Sequence, residues 1–251
     1  MNTKKYLKYS HKTLAWILFI WIILFEFILP SNNFLPKPSI VLLSFTALVK
    51  DYHLFRNISI TISEIYLSMF VAYYVSKIFF QYLGSFNFFL DAADSIYKFF
   101  KFLPVIIPGI FLIFWIPNSN YTGFIFAFLI SLTAISAAIK EESLKVKHEY
   151  VDSAISLGAK KNIIARDVIW NGIQPNLLDF IFQFHYFLWL SLLLFEFING
   201  GFGIGAIYKS ALQYRDLSSL FSISVIVGII IFLGFLVLKY LRRKFFHWSN
   251  I

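Results

Sequence analysis

From Tyr121 to Ile139 the chain runs without one charged side chain. Further long and largely apolar runs, 14–29, 58–80, 177–198 and 217–238, are separated from it by polar intervals rich in Lys and Arg. At ~1.5 Å rise per residue, about 20 helical residues cross the ~30 Å hydrocarbon core of a bilayer. Runs of this length therefore specify helices that live in lipid. Composition agrees: of 251 residues 59% are hydrophobic and 21% aromatic, whereas a soluble domain is about half apolar. The expected fold is an all-α integral membrane protein with a single membrane domain over 1–251.

A shorter run at 102–116 makes the sixth expected span. Pro104 and Pro108 lie in it and delete backbone donors, so it should bend, either as a packing kink or where it lines a pathway. Ile40 to Val49 reads as an amphipathic interfacial helix. Gln81 to Lys101, carrying Asp91, Asp94, Lys98 and Lys101, is too charged to cross. The lysines at 4, 5, 8 and 12 precede an apolar run without a small-residue cleavage site, which reads as an uncleaved first span. Six spans place both termini and the interval 140–176 on one side, and seventeen of the 22 Lys and Arg fall there. By the positive-inside rule that side is cytoplasmic.

The net charge of +9 flanks apolar spans and forms no basic, aromatic-studded face, which argues against nucleic acid. Cys is absent, so disulfides and thiolate chemistry are excluded, and the five His share no ligand spacing. No Gly-Lys-Ser/Thr phosphate-loop signature occurs, so ATP hydrolysis by that machinery would belong to a partner, and no cofactor is expected in this chain. Gly201-Phe202-Gly203-Ile204-Gly205 follows no strand and reads as a turn.

The interval Glu149 to Pro175 is the organised part of the polar sequence. Val151, Ala154 and Ile155 fall at i, i+3 and i+4, giving a short amphipathic helix with early acids at Glu149 and Asp152. Gly158 can take the left-handed conformation that ends it, and Asn162 can cap a second helix carrying Ile163, Ile164 and Val168.

The same spacing resembles the cytoplasmic loop of bacterial ABC-importer permeases, the binding-protein-dependent inner-membrane component. Asp152-Ser153-Ala154, Leu157, Gly158, Val168 and Pro175 stand at that loop's places; Asp replaces the family's Glu, Ser its first Ala, and Asn171 its first Pro. Phe34-Leu35-Pro36-Lys37-Pro38-Ser39, the segment Leu103 to Pro108 running on to Phe114-Trp115, and Glu196-Phe197-Ile198 with Gly201 to Gly205 resemble further motifs of the family. Together they are most similar to importers of sulfonates, taurine and nitrate, with vitamin-precursor importers close by, although Glu64 stands where that subfamily often has Arg. The resemblance implies a type I permease of six spans with a cytoplasmic coupling helix, in which Asp152, Ser153, Ala154, Leu157, Gly158, Ala159 and Val168 engage the ATPase. It implies as partners a cytoplasmic ABC ATPase, an extracytoplasmic solute-binding protein and a second permease copy, in a bacterial inner membrane. An ion-coupled transporter or channel is the alternative; such a protein needs no loop of this spacing.

Ionisable and polar groups within spans mark candidate pathway positions. Glu64, Pro104, Pro108, Gln183, His185, Trp189 and Glu196 are the candidates, with Glu196, Asp179 and Glu26 near enough to span ends to be structural. Gln183 and His185 point about 200° apart on a helix, so only one can face a central pathway. Tyr186 and Trp189 can offer one aromatic face. In this Cys-free chain, Lys5→Cys, Lys160→Cys and Asn250→Cys should resist an impermeant thiol reagent added outside, while Asn118→Cys and Asn120→Cys should label. Outside labelling at position 160 would overturn the assigned topology.

Overall fold

The computed structural model describes residues 16–29, 35–82, 87–117 and 121–245. The N-terminal lysines, the start of the first expected span, the segment around Asn118 and the last residues of the basic tail lie outside them. Among the described residues all the elements formed are helices: α1 (Trp16–Ile28, π-helical from Ile23), α2 (Pro38–Lys50), α3 (Leu54–Tyr82), α4 (Asn87–Phe102), α5 (Ile106–Trp115) and α6 (Thr122–Ser143) come first. Then follow α7 (His148–Ser156), α8 (Lys161–Asn199), α9 (Ile204–Gln213) and α10 (Leu217–Phe245). Four of these, α3, α6, α8 and α10, are long and apolar enough to cross a membrane, while α1, α2 and α5 are apolar but shorter.

The chain divides into two compact units, one of 1–55 with 207–229 and one of 56–206 with 230–251. Helix starts in the first unit are capped by carboxylates. Glu26 accepts from the Ser39 amide at 3.2 Å and hydroxyl at 2.8 Å, satisfying the first turn of α2, where Pro38 has no N–H to satisfy. Asp216 accepts from the Ser219 amide at 3.0 Å and the Ser218 hydroxyl at 2.7 Å, capping α10. Within the same unit, the Ser44 and Ser222 hydroxyls meet at 2.6 Å, and Ser222 donates to the Val41 carbonyl at 2.6 Å.

The second unit is built on α3, α6 and α8. Glu64 lies against Gly123, and twelve residues further along α3 the Ser76 hydroxyl meets that of Ser136 at 2.8 Å. The two pairs advance together, so α3 and α6 run parallel. α8 runs antiparallel to α3, with Thr61 paired to Glu196 and Tyr73 to Trp170. Parallel α3 and α6 oblige the intervening chain to return along their length. It does so through α5: Pro104 lies near Thr133, Gly109 sits under the stacked rings of Phe126 and Phe195, and the Thr122 hydroxyl bonds the Ile116 carbonyl at 3.3 Å. α4 stays at the other end of α6, where Lys140 Nζ reaches Asp91 and Asp94 at 2.8 Å each. Hydrogen bonds from Lys140 and Lys98 hold the Asp94 carboxyl below its usual range.

Four features differ from the sequence reading. The expected third span, 102–116, is helical only over the ten residues of α5, about 15 Å at 1.5 Å per residue. Pro104 lies in the break before α5 and Pro108 in its first turn, where a missing N–H costs nothing, so neither bends a helix. The second helix of the polar interval and the fifth span are one helix, α8, which carries Pro175 inside it. The bond lost there is outweighed by burial on both sides, Trp170, Ile173 and Leu177 all being at most 1% exposed. Lys160, not Asn162, occupies the N-cap position of α8.

The parallel packing can be tested by cross-linking in the Cys-free chain. Ser76→Cys with Ser136→Cys should form an intramolecular disulfide under a membrane-permeant oxidant, read as a reducible gel shift, and Ser76→Cys with Gly123→Cys should not. The reverse pattern would refute the parallel arrangement.

Candidate functional site

Three places in the second unit carry the residues singled out from sequence. The first is α7 and the turn that ends it. Gly158, at φ +78°, follows Leu157 as the C′ residue of α7. Its N–H bonds the Ile155 carbonyl at 2.9 Å and the Ala159 N–H bonds the Ala154 carbonyl at 3.0 Å, the paired bonds of a Schellman ending. A side chain at Gly158 would meet nothing within 4 Å, so the requirement for glycine is torsional, about 1 kcal/mol or more for a residue with a Cβ. No residue of α7 is buried.

Asp152, Ser153, Leu157 and Gly158 are exposed, while Ala154 and Ala159 are half-buried. The Ser153 hydroxyl turns back to the Glu149 carbonyl at 2.7 Å. Val168 is not presented outward; with Tyr150 it lines a groove of about 210 Å³ between α7 and α8. Ile155 departs from its expected place in the inward stripe and is exposed. Together with Leu144, Tyr150 and Leu157, at 57–88% exposure, it puts large apolar side chains on an otherwise charged surface. The signal for this patch was available as apolar residues interrupting a polar interval; the amphipathic reading assigned Ile155 to the wrong face because in a helix this short Val151 and Ala154 alone cover the contact.

The second place is a partly open cavity of about 510 Å³ bordered by α4, the break before α5, α6 and α8. Pro104, Thr133, Gln183, Tyr97, Phe180 and Phe187 are among its walls. This size and lining, mostly apolar and aromatic with a few hydrogen-bonding groups, suit a small solute. Gln183 faces it and His185 does not. His185 is fully buried, and its Nε2 accepts from the Trp189 indole N–H at 3.0 Å and meets the Tyr66 hydroxyl at 2.9 Å. An indole only donates, so Nε2 carries the lone pair and Nδ1 the proton. Trp189 is 1% exposed and Tyr186 46%, so these two form no common aromatic face. Pro108 is half-buried and is not among the walls.

The third place is the turn after α8. Glu196 accepts from the Thr61 hydroxyl at 2.6 Å and from the Gly205 amide at 2.8 Å, and Thr61 accepts from the Ile204 amide at 2.9 Å. The Gly203 amide bonds Asn57 at 2.9 Å. A Cβ at Gly203 or Gly205 would collide with Glu196, and Gly203 also lies at φ +92°. The glycine spacing is thus a device for laying backbone against a carboxylate, and both Glu196 oxygens are spent on it. Glu64 lies one helical turn further along α3, against a separate cavity of about 320 Å³. Among the described residues, no group of three or more His, Cys, Asp or Glu could hold a metal ion.

The family described as "Binding-protein-dependent transport system inner membrane component" matches this chain over residues 65–247. No curated protein matches it. The turn after α8 yields its own prediction. Gly205→Ala should lower the thermal midpoint of the purified protein, by a loss on the order of 1–3 kcal/mol for each displaced hydrogen bond. Gly201→Ala, where a Cβ would meet only Asn199 at 3.7 Å, should leave it near wild type. Equal effects would remove the Glu196 turn as the reason for the glycines.

Proposed function

Because the chain belongs to the family of binding-protein-dependent transport system inner membrane components, the multi-pass permease part of ABC importers, we propose that α7 is its coupling helix. On this reading α7 seats in a cytoplasmic ABC ATPase. The observation that carries it is the combination at α7: a short helix fully outside the core, ended by a glycine in the left-handed region and bearing large exposed apolar residues among charges. A rigid apolar knob on a polar surface is what an interface buries.

Six spans follow on the same reading, with α1 and α5 joining the four long helices. The parallel course of α3 and α6 supports the crossing at α5. Both termini and α7 then face the cytoplasm of a bacterial inner membrane, in line with the distribution of Lys and Arg. A solute-binding protein delivers a small solute, of the sulfonate, nitrate or vitamin-precursor kind, and two permease copies form the pathway. Closure of the ATPases moves α7, and α8 carries the motion toward the cavity faced by Gln183, because α8 runs unbroken from the turn after Gly158 to Gly200. ATP binds to the partner subunit.

Gly158→Val should leave membrane insertion near normal, since the spans do not depend on the turn, yet weaken ATPase retention or uncouple hydrolysis from uptake. Asp152→Lys should act in the same direction by reversing a charge on the exposed face of α7. If purified complexes of both variants retain the ATPase and transport at wild-type rates, α7 is an ordinary connection.

A further inference from the structure

The cavity of about 510 Å³ beside the break has an aromatic side. Phe180, Phe184 and Phe187 stand at i, i+4 and i+7 on one face of α8, and all three border the space. The rings of Phe180 and Phe184 are stacked, with centroids 5.8 Å and planes 11° apart, and Phe187 follows Phe184 at 5.9 Å and 38°. A flat aromatic guest extends such a series by offset stacking.

The polar groups around it are uncharged. Gln183 borders the cavity beside these rings, and among the described residues its amide has no hydrogen-bond partner, so a donor and an acceptor are both on offer. Thr133 on α6 donates its hydroxyl to the Ile130 carbonyl at 3.0 Å, which leaves its oxygen able to accept. No Asp, Glu, Lys, Arg or His is among the walls that the described residues form. Asp179, four residues before Gln183, is tied to Arg242 at 2.8 Å. An ionic guest would shed its hydration here without gaining a counter-ion.

The remaining wall argues against an acyl chain as the occupant. It is the break itself, Leu103 to Val105, where the backbone lies outside any helix and Pro104 has no N–H to offer the last turn of α4. Across the cavity from it stands Thr133, inside the charge-free run 121–139 and so at membrane depth. Non-helical backbone at that depth requires protein or polar contents to satisfy it, and hydrocarbon does neither.

We propose that this cavity binds an uncharged, planar, hydrogen-bonding solute of the heteroaromatic class, its ring laid on the face of Phe180, Phe184 and Phe187 and its edge held by the Gln183 amide. In making that solute the cargo the proposal rests on the importer reading, and it sets aside the sulfonate and nitrate classes. Binding itself needs no partner subunit.

The absence of native Cys allows a test by protection from labelling. In the full-length chain purified in detergent, Thr133→Cys on the cavity wall is modified with uncharged methyl methanethiosulfonate. Phe70→Cys, at a position on α3 that is 59% exposed and outside this cavity, controls for reagent that partitions into detergent. Since a ligand in a pocket covers the walls it touches, nicotinamide, cytosine or adenine should slow modification at position 133 by about threefold or more. Position 70 should be unaffected. Nicotinate, the same ring bearing a carboxylate, and ethanesulfonate at equal concentration should not protect. Cyclohexanecarboxamide, an amide without a flat ring, should protect less than nicotinamide. Gln183→Leu should remove most of the protection, and the ligand comparisons decide the matter even if that variant fails to fold. Protection by none of the three heteroaromatics, equal protection by nicotinate or by cyclohexanecarboxamide, or full protection in Gln183→Leu would each overturn the site. None of these outcomes bears on α7, whose role stands or falls with ATPase retention.

Discussion

The carboxylate of Glu196 is the fastening on which the second unit depends. Its two oxygens are divided between the Thr61 hydroxyl on α3 and the Gly205 amide in the turn after α8, and Thr61 in turn holds the Ile204 amide. In lipid no water is available to take over these bonds, so the groups must find one another or stay unsatisfied. Fixing the C-terminal end of α8 against α3 sets the register of every contact along the pair. His185 then reaches Tyr66, and Trp170 packs against Tyr73 and Phe80. The wall of the large cavity is the face of α8 that this register leaves over.

That division of α8 into a bonded face and an open face gives Gln183 and His185 different standings. Both are polar groups at similar depth in one span. His185 is consumed by Trp189 and Tyr66 and ties helices together, whereas Gln183 presents its amide to the space bordered by Pro104 and Thr133. Arg242 and Asp179, paired at 2.8 Å, join the middle of α8 to α10. An ion pair that is partly exposed contributes little energy.

Much of this was legible in the residues. The charge-free run at 121–139 became α6, the runs at 58–80 and 217–238 fell inside α3 and α10, and Gly158 ended its short helix in the left-handed region. These signals are local: apolar length, and a glycine followed by basic residues. What could not be read was set by partners distant in sequence. Pro175 and the polar residues around it suggested a boundary, and only the burial of Trp170, Ile173 and Leu177 keeps the helix whole. Pro104 and Pro108 suggested a bent span, and only the parallel packing of α3 with α6 shows why a short helix between them must turn back. Likewise, that Glu64 and Glu196 differ, one with a spare oxygen and one with none, depends on glycines at 123, 203 and 205 that no spacing rule connects to them.

The empty space around Gly158 has a consequence for how this position can vary. Since a side chain there would touch nothing within 4 Å, volume is no filter and only torsion is. Asn and Asp, which tolerate the left-handed region, would pass, whereas Ala and the β-branched residues would bear the full backbone cost. The tip of the turn is therefore a place where a new polar group can be offered to whatever surface meets it without rebuilding either helix. The side chain at this position is free to drift while the shape of the turn is not.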